Sequence, residues 1–310
     1  MSADTPVVIV GTGLAGTRCA TTLRRLLPDQ EVLLVGDEPH APYERPPLSK
    51  ELLARTRGAD ELTLAGAQAR ELEQQGIVLA TCRTVTSIAA GSVTLDGAEL
   101  VPASAVVLAT GARPRSLPTT APAGRVHVLR SLTDAMRLRA ALEAGQRLVI
   151  IGSGFIGAEV ASTARARGVE VTIIEAESAP FTRTLGAQVG TWLTQRWASA
   201  GVRLHVDARV ASIGTAPCGG AVVELADGTE IEADHVLVAI GTEPRDELFH
   251  AAFPGRGVAG RGVPTDGAGR TPVPGVWAAG DVALVDPGSG VAARRIEHWA
   301  QPWKRLDADD

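Results

Sequence analysis

The sequence predicts an α/β fold with two Rossmann-like dinucleotide-binding domains, because two glycine-rich turns of the same design occur in it. The first turn, GTGLAG at residues 11–16, follows the apolar run 7–10. The second turn, GSGFIG at residues 152–157, follows the apolar run 148–151. A single GxGxxG is a weak signal, but each of these two leaves a predicted strand and opens a predicted helix, as the motif requires.

The two halves that begin at these turns share one layout, which indicates an internal repeat. Each half continues through a helix, a second strand and a hairpin turn, Asp96-Gly97 or Asp227-Gly228. Each then ends in an apolar strand, 105–109 or 236–240, that runs into a glycine. We therefore expect two copies of one βαβ-based unit rather than one large sheet.

The repeat also predicts the domain boundaries, since proline-rich linkers follow both copies. A short apolar strand at 276–279, late in the chain, is expected to return to the first sheet. The first domain is then discontinuous. We predict a first domain of residues 1–115 and 245–310 and a second domain of residues 116–244.

Composition excludes several classes of protein. The 310 residues carry a net charge of −5 and no block rich in lysine or arginine, which argues against nucleic acid binding. No apolar run approaches the roughly 18–20 residues of a membrane span, and no basic segment precedes the first strand, so no signal peptide is expected. Cys19, Cys82 and Cys218 are widely separated and form neither a CxxC nor a metal spacing. These features predict a soluble, cytoplasmic protein without a metal.

The residues around each turn carry the predicted ligand chemistry. Glycine lets the backbone approach a pyrophosphate, whose charge lies at the N-terminus of the following helix. An acid after the second strand contacts the ribose, and in the second copy this acid is Glu175. Its carboxylate would bond a 2′-hydroxyl and repel a 2′-phosphate, which favours NADH over NADPH. In the first copy Asp37 and Glu38 are both candidates.

The segment 42–50 (PYERPPLSK) has no counterpart in the second half. Its two consecutive prolines make the chain rigid, and Ser49 is placed to cap a helix that begins at Lys50. Lys50 and Lys304 are the only lysines of the sequence, which suggests a role for a compact ammonium group at position 50. The alternative is a rigid loop that leads into a helix.

Together with five further motifs, the two turns resemble those of the oxygenase-coupled ferredoxin reductases. These are FAD- and NADH-dependent flavoproteins of the pyridine nucleotide-disulfide oxidoreductase superfamily, with a glutathione-reductase-like fold. The motifs cover essentially the whole chain in the family's order. They are PYERPPLSKELL, VVLATGARPR, GTEPR, RTPVPGVWAAGDVA and RRIEHWA.

The resemblance implies that the first copy and the tail bind FAD and that the second copy binds NADH. Lys50 would lie beside the flavin ring and form a catalytic pair with Glu159, although an acid in the first turn of a helix is also favoured by the helix dipole alone. Contacts with FAD are implied for Gly11, Gly13, Leu14, Ala15, Gly16, Asp37, Glu38, Arg45, Lys50, Thr110, Gly111, Arg113, Gly280, Asp281, Glu297, His298 and Trp299. Contacts with NADH are implied for Gly152, Gly154, Phe155, Ile156, Gly157, Glu159, Glu175, Arg183 and Gly241.

The function implied is electron transfer from NADH through FAD to a 2Fe-2S ferredoxin of an oxygenase system. The family continues past its Glu-His-Trp motif into a C-terminal interface domain, whereas this sequence ends at Asp310. We therefore expect that domain to be absent, so that either another protein covers the flavin or the flavin site is unusually open. Two alternatives stay open. One is a flavoprotein oxidase or tailoring enzyme that acts on a small molecule or oxygen, and the other is a nucleotide-binding scaffold with weak turnover.

Overall fold

The structure is a computed structural model that describes residues 5–217, 219–286, 288 and 292–295. Within them the α-helices are α1 (Leu14–Leu26), α2 (Ala69–Gln74), α3 (Leu132–Ala141), α4 (Phe155–Ala166), α5 (Thr182–Leu185), α6 (Ala187–Ser199) and α7 (Glu247–Ala252). The strands are β1 (Val7–Val10), β2 (Val32–Val35), β3 (Ile77–Ala80), β4 (Val85–Ala89), β5 (Ser92–Leu95), β6 (Glu99–Pro102), β7 (Ala105–Leu108), β8 (Ala112–Pro114), β9 (Val126–His127), β10 (Arg147–Ile151), β11 (Glu170–Ile174), β12 (Arg203–His205), β13 (Val210–Thr215), β14 (Ala221–Leu225), β15 (Glu230–Ala233), β16 (His235–Val238), β17 (Thr242–Pro244), β18 (Val263–Thr265), β19 (Val276–Ala278) and β20 (Ala283–Val285). None of these helices combines the length and apolar character that a membrane-spanning helix needs.

The described residues fold into two compact units. Unit 1 comprises residues from the ranges 1–43, 63–112 and 243–310, and unit 2 comprises 44–62 and 113–242. The first unit is discontinuous, as the sequence predicted. The segment 44–62, which the sequence-based boundaries include in the first domain, has its contacts in unit 2.

Each unit is built on a five-stranded parallel sheet of the same strand order. In unit 1 the order is β19-β7-β1-β2-β3, and in unit 2 it is β9-β16-β10-β11-β12. Val276 of β19 pairs with Val106 of β7, so the late apolar strand returns to the first sheet. The prediction of two copies of one βαβ-based unit is confirmed.

The central strands β1, β2 and β7 of unit 1 are wholly apolar because both faces of the sheet are covered. In β1 the side chains of Val8 and Val10 belong to one core cluster, while Val7 and Ile9 belong to the cluster on the opposite face. This alternation follows from the two-residue period of a strand. In unit 1 these strands leave their carboxyl ends, where the glycine-rich turn occurs, for polar chemistry.

A three-stranded antiparallel sheet accompanies each parallel sheet, β4-β5-β6 in unit 1 and β13-β14-β15 in unit 2. The first hairpin turns at Asp96 and Gly97, which both have positive φ, 50° and 76°. This is the turn expected of an Asp-Gly pair. In the second hairpin only Gly228 has positive φ, and the Asp227 carboxylate accepts a hydrogen bond from the Thr229 amide at 2.9 Å. Both predicted hairpins are present.

One local prediction is wrong, since no α-helix begins at Lys50. The segment forms a 3₁₀ turn, Pro46–Ser49, followed by hydrogen-bonded turns. Ser49 is the last residue of this turn rather than the N-cap of a helix, and its hydroxyl donates to the Glu159 carboxylate of α4. Pro46 and Pro47 have no amide hydrogen and fix φ, which favours the short turn over a regular helix.

Candidate functional site

The first glycine-rich turn joins β1 to α1 and requires glycine at two positions for steric reasons. Gly11 has φ of +116°, and a Cβ atom there would overlap the carbonyl oxygen of Ala109. A Cβ atom on Gly16 would overlap the carbonyl oxygen of Gly11. These contacts hold α1 close against the sheet, which is the packing that the motif provides.

Gly13, between these two positions, has a different environment. A Cβ atom on Gly13 would meet no heavy atom within 4 Å, so the space above the turn is open. Helix α1 begins at the next residue, and Gly13 provides no side-chain cap. The N–H groups of the first helical turn therefore need an acceptor from outside the helix. An open cradle at an uncapped helix N-terminus fits a pyrophosphate.

The second turn repeats this geometry between β10 and α4. Gly152 has φ of +101°, and its Cβ would clash with the backbone of Ala239. Gly154 is open, without a heavy atom within 4 Å of a Cβ atom, and it leaves α4 uncapped by a side chain. Unit 2 therefore contains a second cradle for a pyrophosphate.

The predicted ribose acid of unit 2 is fixed beside the second turn. Oε2 of Glu175 accepts a hydrogen bond from the amide of Ser153 at 2.9 Å and another from the Ser153 hydroxyl. Oε1 accepts from the amide of Glu177 at 2.9 Å. These bonds orient the carboxylate where a ribose bound at this turn can be contacted.

Unit 1 has no acid at the corresponding position. The amide of Glu175 donates to the carbonyl of His205 at the end of β12, and in unit 1 the same bond runs from Gly36 to Ala80 at the end of β3. Gly36 therefore occupies the place of Glu175. The side chain of Thr12 would overlap a Cβ atom at position 36.

The two candidate acids of unit 1 lie one and two residues further on, and each already has a partner. Oδ2 of Asp37 accepts hydrogen bonds from both terminal nitrogens of Arg245 at 3.0 Å. Oε2 of Glu38 accepts from the Tyr43 hydroxyl at 2.5 Å. Both acids lie at the carboxyl ends of the strands.

The remaining predicted residues of unit 1 reach the same edge of its sheet. After β7, the hydroxyl of Thr110 donates to the Arg245 carbonyl at 2.7 Å, and the Arg245 amide donates to the Gly111 carbonyl at 3.0 Å. After β19, a Cβ atom on Gly280 would lie 2.7 Å from the Ala15 side chain. This packing brings Gly280 and the adjoining Asp281 to the first turn of α1.

Arg245 is a residue that the sequence analysis missed, although it ends the GTEPR motif. Its contacts with the ends of β7 and β2 join parts of the chain that are far apart in sequence. The motif gave no signal of this, because only the folded chain brings position 245 back beside Asp37.

The predicted catalytic pair lies within unit 2. Nζ of Lys50 is 2.8 Å from Oε1 of Glu159, and it also donates to the Pro46 carbonyl at 3.1 Å. The Ser49 hydroxyl donates to the other carboxylate oxygen. The hydroxyl of Thr163 donates to the Ser49 carbonyl at 3.1 Å, which holds the PPLSK segment on α4. Both side chains of the pair are partly exposed, 45% and 30%.

The other predicted residues are distributed as follows. Arg45 and Arg113 belong to unit 2, like Lys50, and Nη1 of Arg45 donates to the Arg130 carbonyl at 2.6 Å. Phe155 is 55% exposed and stacks edge to face on Phe181, with ring centroids 5.0 Å apart.

Gly157 packs α4 against its strand as Gly16 does in unit 1, and Ile156 lies in the first turn of α4. Gly241 has φ of +97°, and its carbonyl accepts from the Arg115 amide at 3.0 Å. Arg183 lies in α5, and its side chain is not described. Glu297, His298 and Trp299 lie outside the described residues.

A buried histidine pair in unit 2 was also missed. Nε2 of His127 in β9 is 3.1 Å from Nδ1 of His235 in β16. Burial, reinforced by the neighbouring His235, lowers the pKa of His127 from 6.5 to about 4. Burial also lowers the pKa of His235, and Arg125 adds to this effect.

Cysteine and metal chemistry have no further support in the described part of the chain. Cys19 is partly buried, which raises the pKa of its thiol, while Cys82 is exposed. Cys218 is outside the described residues. No group of three or more His, Cys, Asp or Glu side chains among the described residues is placed to hold a metal ion.

The chain belongs to the pyridine nucleotide-disulphide oxidoreductase family, whose model matches residues 5–303. It is 40% identical to the ferredoxin–NAD(+) reductase component of the p-cumate 2,3-dioxygenase system of Pseudomonas putida, over 95% of this chain and 71% of the relative. It is 38% identical to the corresponding component of the biphenyl dioxygenase system of Paraburkholderia xenovorans, over 89% and 67%.

Among solved structures, the fold is similar to that of the reductase in the crystal structure of the covalent putidaredoxin reductase–putidaredoxin complex. The TM-score is 0.88 and the identity 34%, over 96% of this chain and 72% of that chain. The resemblance and the fold class predicted from the sequence are confirmed. The chain spans about 70% of the length of these relatives.

Proposed function

We propose that this protein is an NADH-dependent FAD flavoprotein reductase that passes electrons to a 2Fe-2S ferredoxin of an oxygenase system. The observation that carries the proposal is the presence of two separate pyrophosphate cradles of the same backbone geometry in one chain. When bound, FAD accepts a hydride from NADH and can return electrons singly to an iron–sulfur centre. The relatives described above are reductase components of such systems.

We assign FAD to the first cradle, with the domain boundaries 1–115 and 245–310. Support comes from the edge of the unit 1 sheet, where Asp37, Glu38, Thr110 and Asp281 lie around the Gly11 turn. The acids can accept hydrogen bonds from hydroxyl groups of the ribose and ribityl chain, while the helix N-terminus takes the phosphates.

We assign NADH to the second cradle, with the domain boundaries 116–244. Glu175 is held by Ser153 and Glu177, so its negative charge lies beside the turn before any ligand arrives. A fixed carboxylate favours a ribose with a free 2′-hydroxyl and repels a 2′-phosphate. The assignment therefore includes a preference for NADH over NADPH.

Lys50 and Glu159 have a supporting role in this proposal. The ion pair fixes an ammonium group, and Ser49 and Thr163 prevent the PPLSK segment from moving away from α4. A fixed positive charge stabilises negative charge that develops on a neighbouring redox group. Lys50 is the charged group in this account, and Glu159 positions it.

The proposed acceptor lies outside the chain, because a reductase on this fold that lacks a pair of redox cysteines passes its electrons outward, and the relatives support a ferredoxin in this role. The three cysteines of the sequence lie at positions 19, 82 and 218 and form no such pair. Their odd number and wide separation also support a cytoplasmic location.

Absorption spectroscopy tests the proposal. The purified chain should show the visible bands of oxidised flavin, and anaerobic NADH should bleach them. Addition of an oxidised 2Fe-2S ferredoxin should restore the flavin bands as the ferredoxin is reduced. A protein that stays colourless with added FAD would be a scaffold, and one that forms peroxide without reducing any ferredoxin would be an oxidase.

A further inference from the structure

Arg245 occupies an unusual place at the edge of the unit 1 sheet. Its amide and carbonyl are hydrogen-bonded to Gly111 and Thr110, at the end of β7. Its guanidinium reaches Asp37, at the end of β2. In the sheet order β1 lies between these two strands.

The Arg245 side chain therefore crosses the end of β1, where the Gly11 turn begins. Neighbouring strands are about 4.8 Å apart, so the ends of β7 and β2 are separated by roughly 10 Å. An extended arginine side chain covers most of that distance. The chain order also reverses here, since β1 is followed by β2 on one side and has β7 on the other, and ligands of open α/β sheets bind in this crevice.

The charges at this edge indicate what the guanidinium does there. The Asp37 carboxylate lies at this edge, Asp281 adjoins Gly280 beside the first turn of α1, and a pyrophosphate adds further negative charge. A cation that belongs to the same unit would offset this repulsion. Arginine suits the position, because its planar group can bind two phosphate oxygens at once.

We propose that Arg245 is a ligand of the pyrophosphate at the Gly11 turn, an inference that rests on the proposed FAD site. Asp37 holds the guanidinium over the crevice in the protein without ligand. Arrival of the pyrophosphate gives Arg245 a second anionic partner. The side chain is 43% exposed, so a ligand can reach it without unfolding of the edge.

Unit 2 supports the assignment by contrast. Its ribose acid, Glu175, is held by the amides of Ser153 and Glu177 and by the Ser153 hydroxyl, and not by an arginine. The fixed acid of unit 2 therefore needs no cation to orient it. In unit 1 Arg245 is present in addition to the acid, which favours the pyrophosphate, rather than Asp37, as the group that Arg245 serves to bind.

Titration of the flavin-free full chain with FAD, followed by flavin fluorescence, tests the inference. Arg245→Gln should weaken FAD binding about 10–100-fold and reduce its dependence on salt. The matched control is Arg270→Gln, because Arg270 also pairs with an aspartate of unit 1, Asp266, and is 71% exposed. The control should bind FAD like the wild type.

Competition against FAD then identifies the group that Arg245 contacts. In Arg245→Gln the inhibition constant of ADP, corrected for the weaker binding of FAD, should rise, while that of adenosine should stay unchanged, since adenosine has no phosphate. The flavin signal reports only the FAD site, so binding of either competitor at the second turn does not contribute. Wild-type FAD affinity in Arg245→Gln, or equal loss of ADP and adenosine, overturns the inference.

Arg245→Lys covers the case in which the glutamine variant does not fold. Lysine keeps the charge but not the planar pair of donors, so FAD and ADP should bind several-fold more weakly and adenosine normally. Wild-type ADP affinity in this variant overturns the inference. If the wild-type chain does not bind FAD at all, the proposed function is contradicted. If the wild-type chain and Arg245→Gln bind FAD with the same affinity, only the role of Arg245 is contradicted.

Discussion

Units 1 and 2 use one backbone frame for two different sites. Both have the same strand order, the same turn geometry and the same hydrogen bond from the second strand to the third. They differ at the residue that follows the second strand. In unit 1 this residue is Gly36, which packs against the Thr12 side chain. In unit 2 it is Glu175, whose carboxylate accepts a hydrogen bond from the Ser153 hydroxyl. The shared backbone thus provides the phosphate cradle, and a few side chains at the strand ends determine the specificity for the rest of the ligand.

A second difference lies deeper in the sheets. His127 of unit 2 pairs with Leu237, and in unit 1 the corresponding strand position is Trp277, which pairs with Val107. His235, the partner of His127, pairs in register with Leu148 of β10. In unit 1 the corresponding pair is Ala105 with Val7. Unit 2 therefore has two titratable groups in its core at positions where unit 1 has apolar ones.

The largest predicted effect is the loss of stability when the first glycine of either turn is replaced. Gly11→Val and Gly152→Val both place a branched side chain at positive φ and against backbone atoms. Each should destabilise its own unit by more than about 4 kcal/mol. Calorimetry should show one early transition in each variant, with flavin lost from Gly11→Val.

The control for this pair is Gly97→Ala. Gly97 has φ of +76° but open space around a Cβ atom, so the substitution should cost only about 1 kcal/mol of backbone strain. Equal damage in all three variants would show that strain, and not the close packing of the turns, decides the outcome.

The histidine pair should make unit 2 the acid-sensitive half. The folded pKa of His127, about 4, lies below the ordinary value of 6.5, so between these pH values the unfolded chain binds a proton that the folded chain does not. The contribution of His127 to the free energy of unfolding is therefore fully present above pH 6.5 and is lost as the pH falls towards 4. The loss is on the order of 3 kcal/mol for His127, and the lowered pKa of His235 acts in the same direction.

Urea unfolding at pH 7 and pH 4.5 measures this difference. The double variant His127→Phe/His235→Ala replaces both partners by apolar groups and should remove most of the pH dependence of unit 2. Asp134, Arg125 and Arg137 influence His127 and stay in place as background charges. A wild-type unit 2 that is no more acid-sensitive than unit 1 would contradict the prediction.

Alanine substitutions at the two open glycines, Gly13 and Gly154, should distinguish the FAD site from the NADH site without affecting the fold. Gly13 and Gly154 have φ near −72°, which alanine adopts easily, and a Cβ atom meets nothing in either place. In Gly13→Ala the methyl group occupies the first cradle, so FAD affinity should fall about 10–100-fold. In Gly154→Ala the KM for NADH should rise by a similar factor while FAD stays bound.

These two alanine variants test the assignment of the cradles directly. Thermal unfolding of both should match the wild type within about 0.5 kcal/mol. If Gly154→Ala loses flavin and Gly13→Ala raises the KM for NADH, the assignment is reversed. If neither variant changes binding, the open space above the turns does not hold phosphates.

The parts of the fold that could be predicted are those with local signals. The strand 7–10, the glycine turns and the Asp96-Gly97 hairpin each depend on residues within one short stretch. The returning strand Val276–Ala278 was also predictable, because an isolated apolar strand after the second copy needs a sheet to join. Composition and periodicity suffice in these cases.

The missed features all depend on contacts between distant residues. Arg245 meets Asp37 across 208 positions, and His127 meets His235 across 108. Ser49 looked like a helix cap because its partner, Glu159, lies 110 residues away. A serine hydroxyl can accept a hydrogen bond as a helix cap or donate one to a carboxylate, and only the folded chain brings the Glu159 carboxylate within reach.

The smallest predicted effect concerns the choice between NADH and NADPH. Glu175→Gln keeps the size of the side chain but removes its charge, so kcat/KM for NADH should fall about tenfold and the value for NADPH should stay equal or rise. Ser153→Ala removes one of the three bonds that orient the carboxylate, and we expect a loss of a few-fold with NADH. Steady-state kinetics with both nucleotides measures the ratio, and flavin content should stay constant because Glu175 belongs to unit 2 and FAD is assigned to unit 1. An unchanged preference in Glu175→Gln would mean that a different side chain of unit 2 recognises the ribose, and the comparison with Gly36 would then lose its functional meaning.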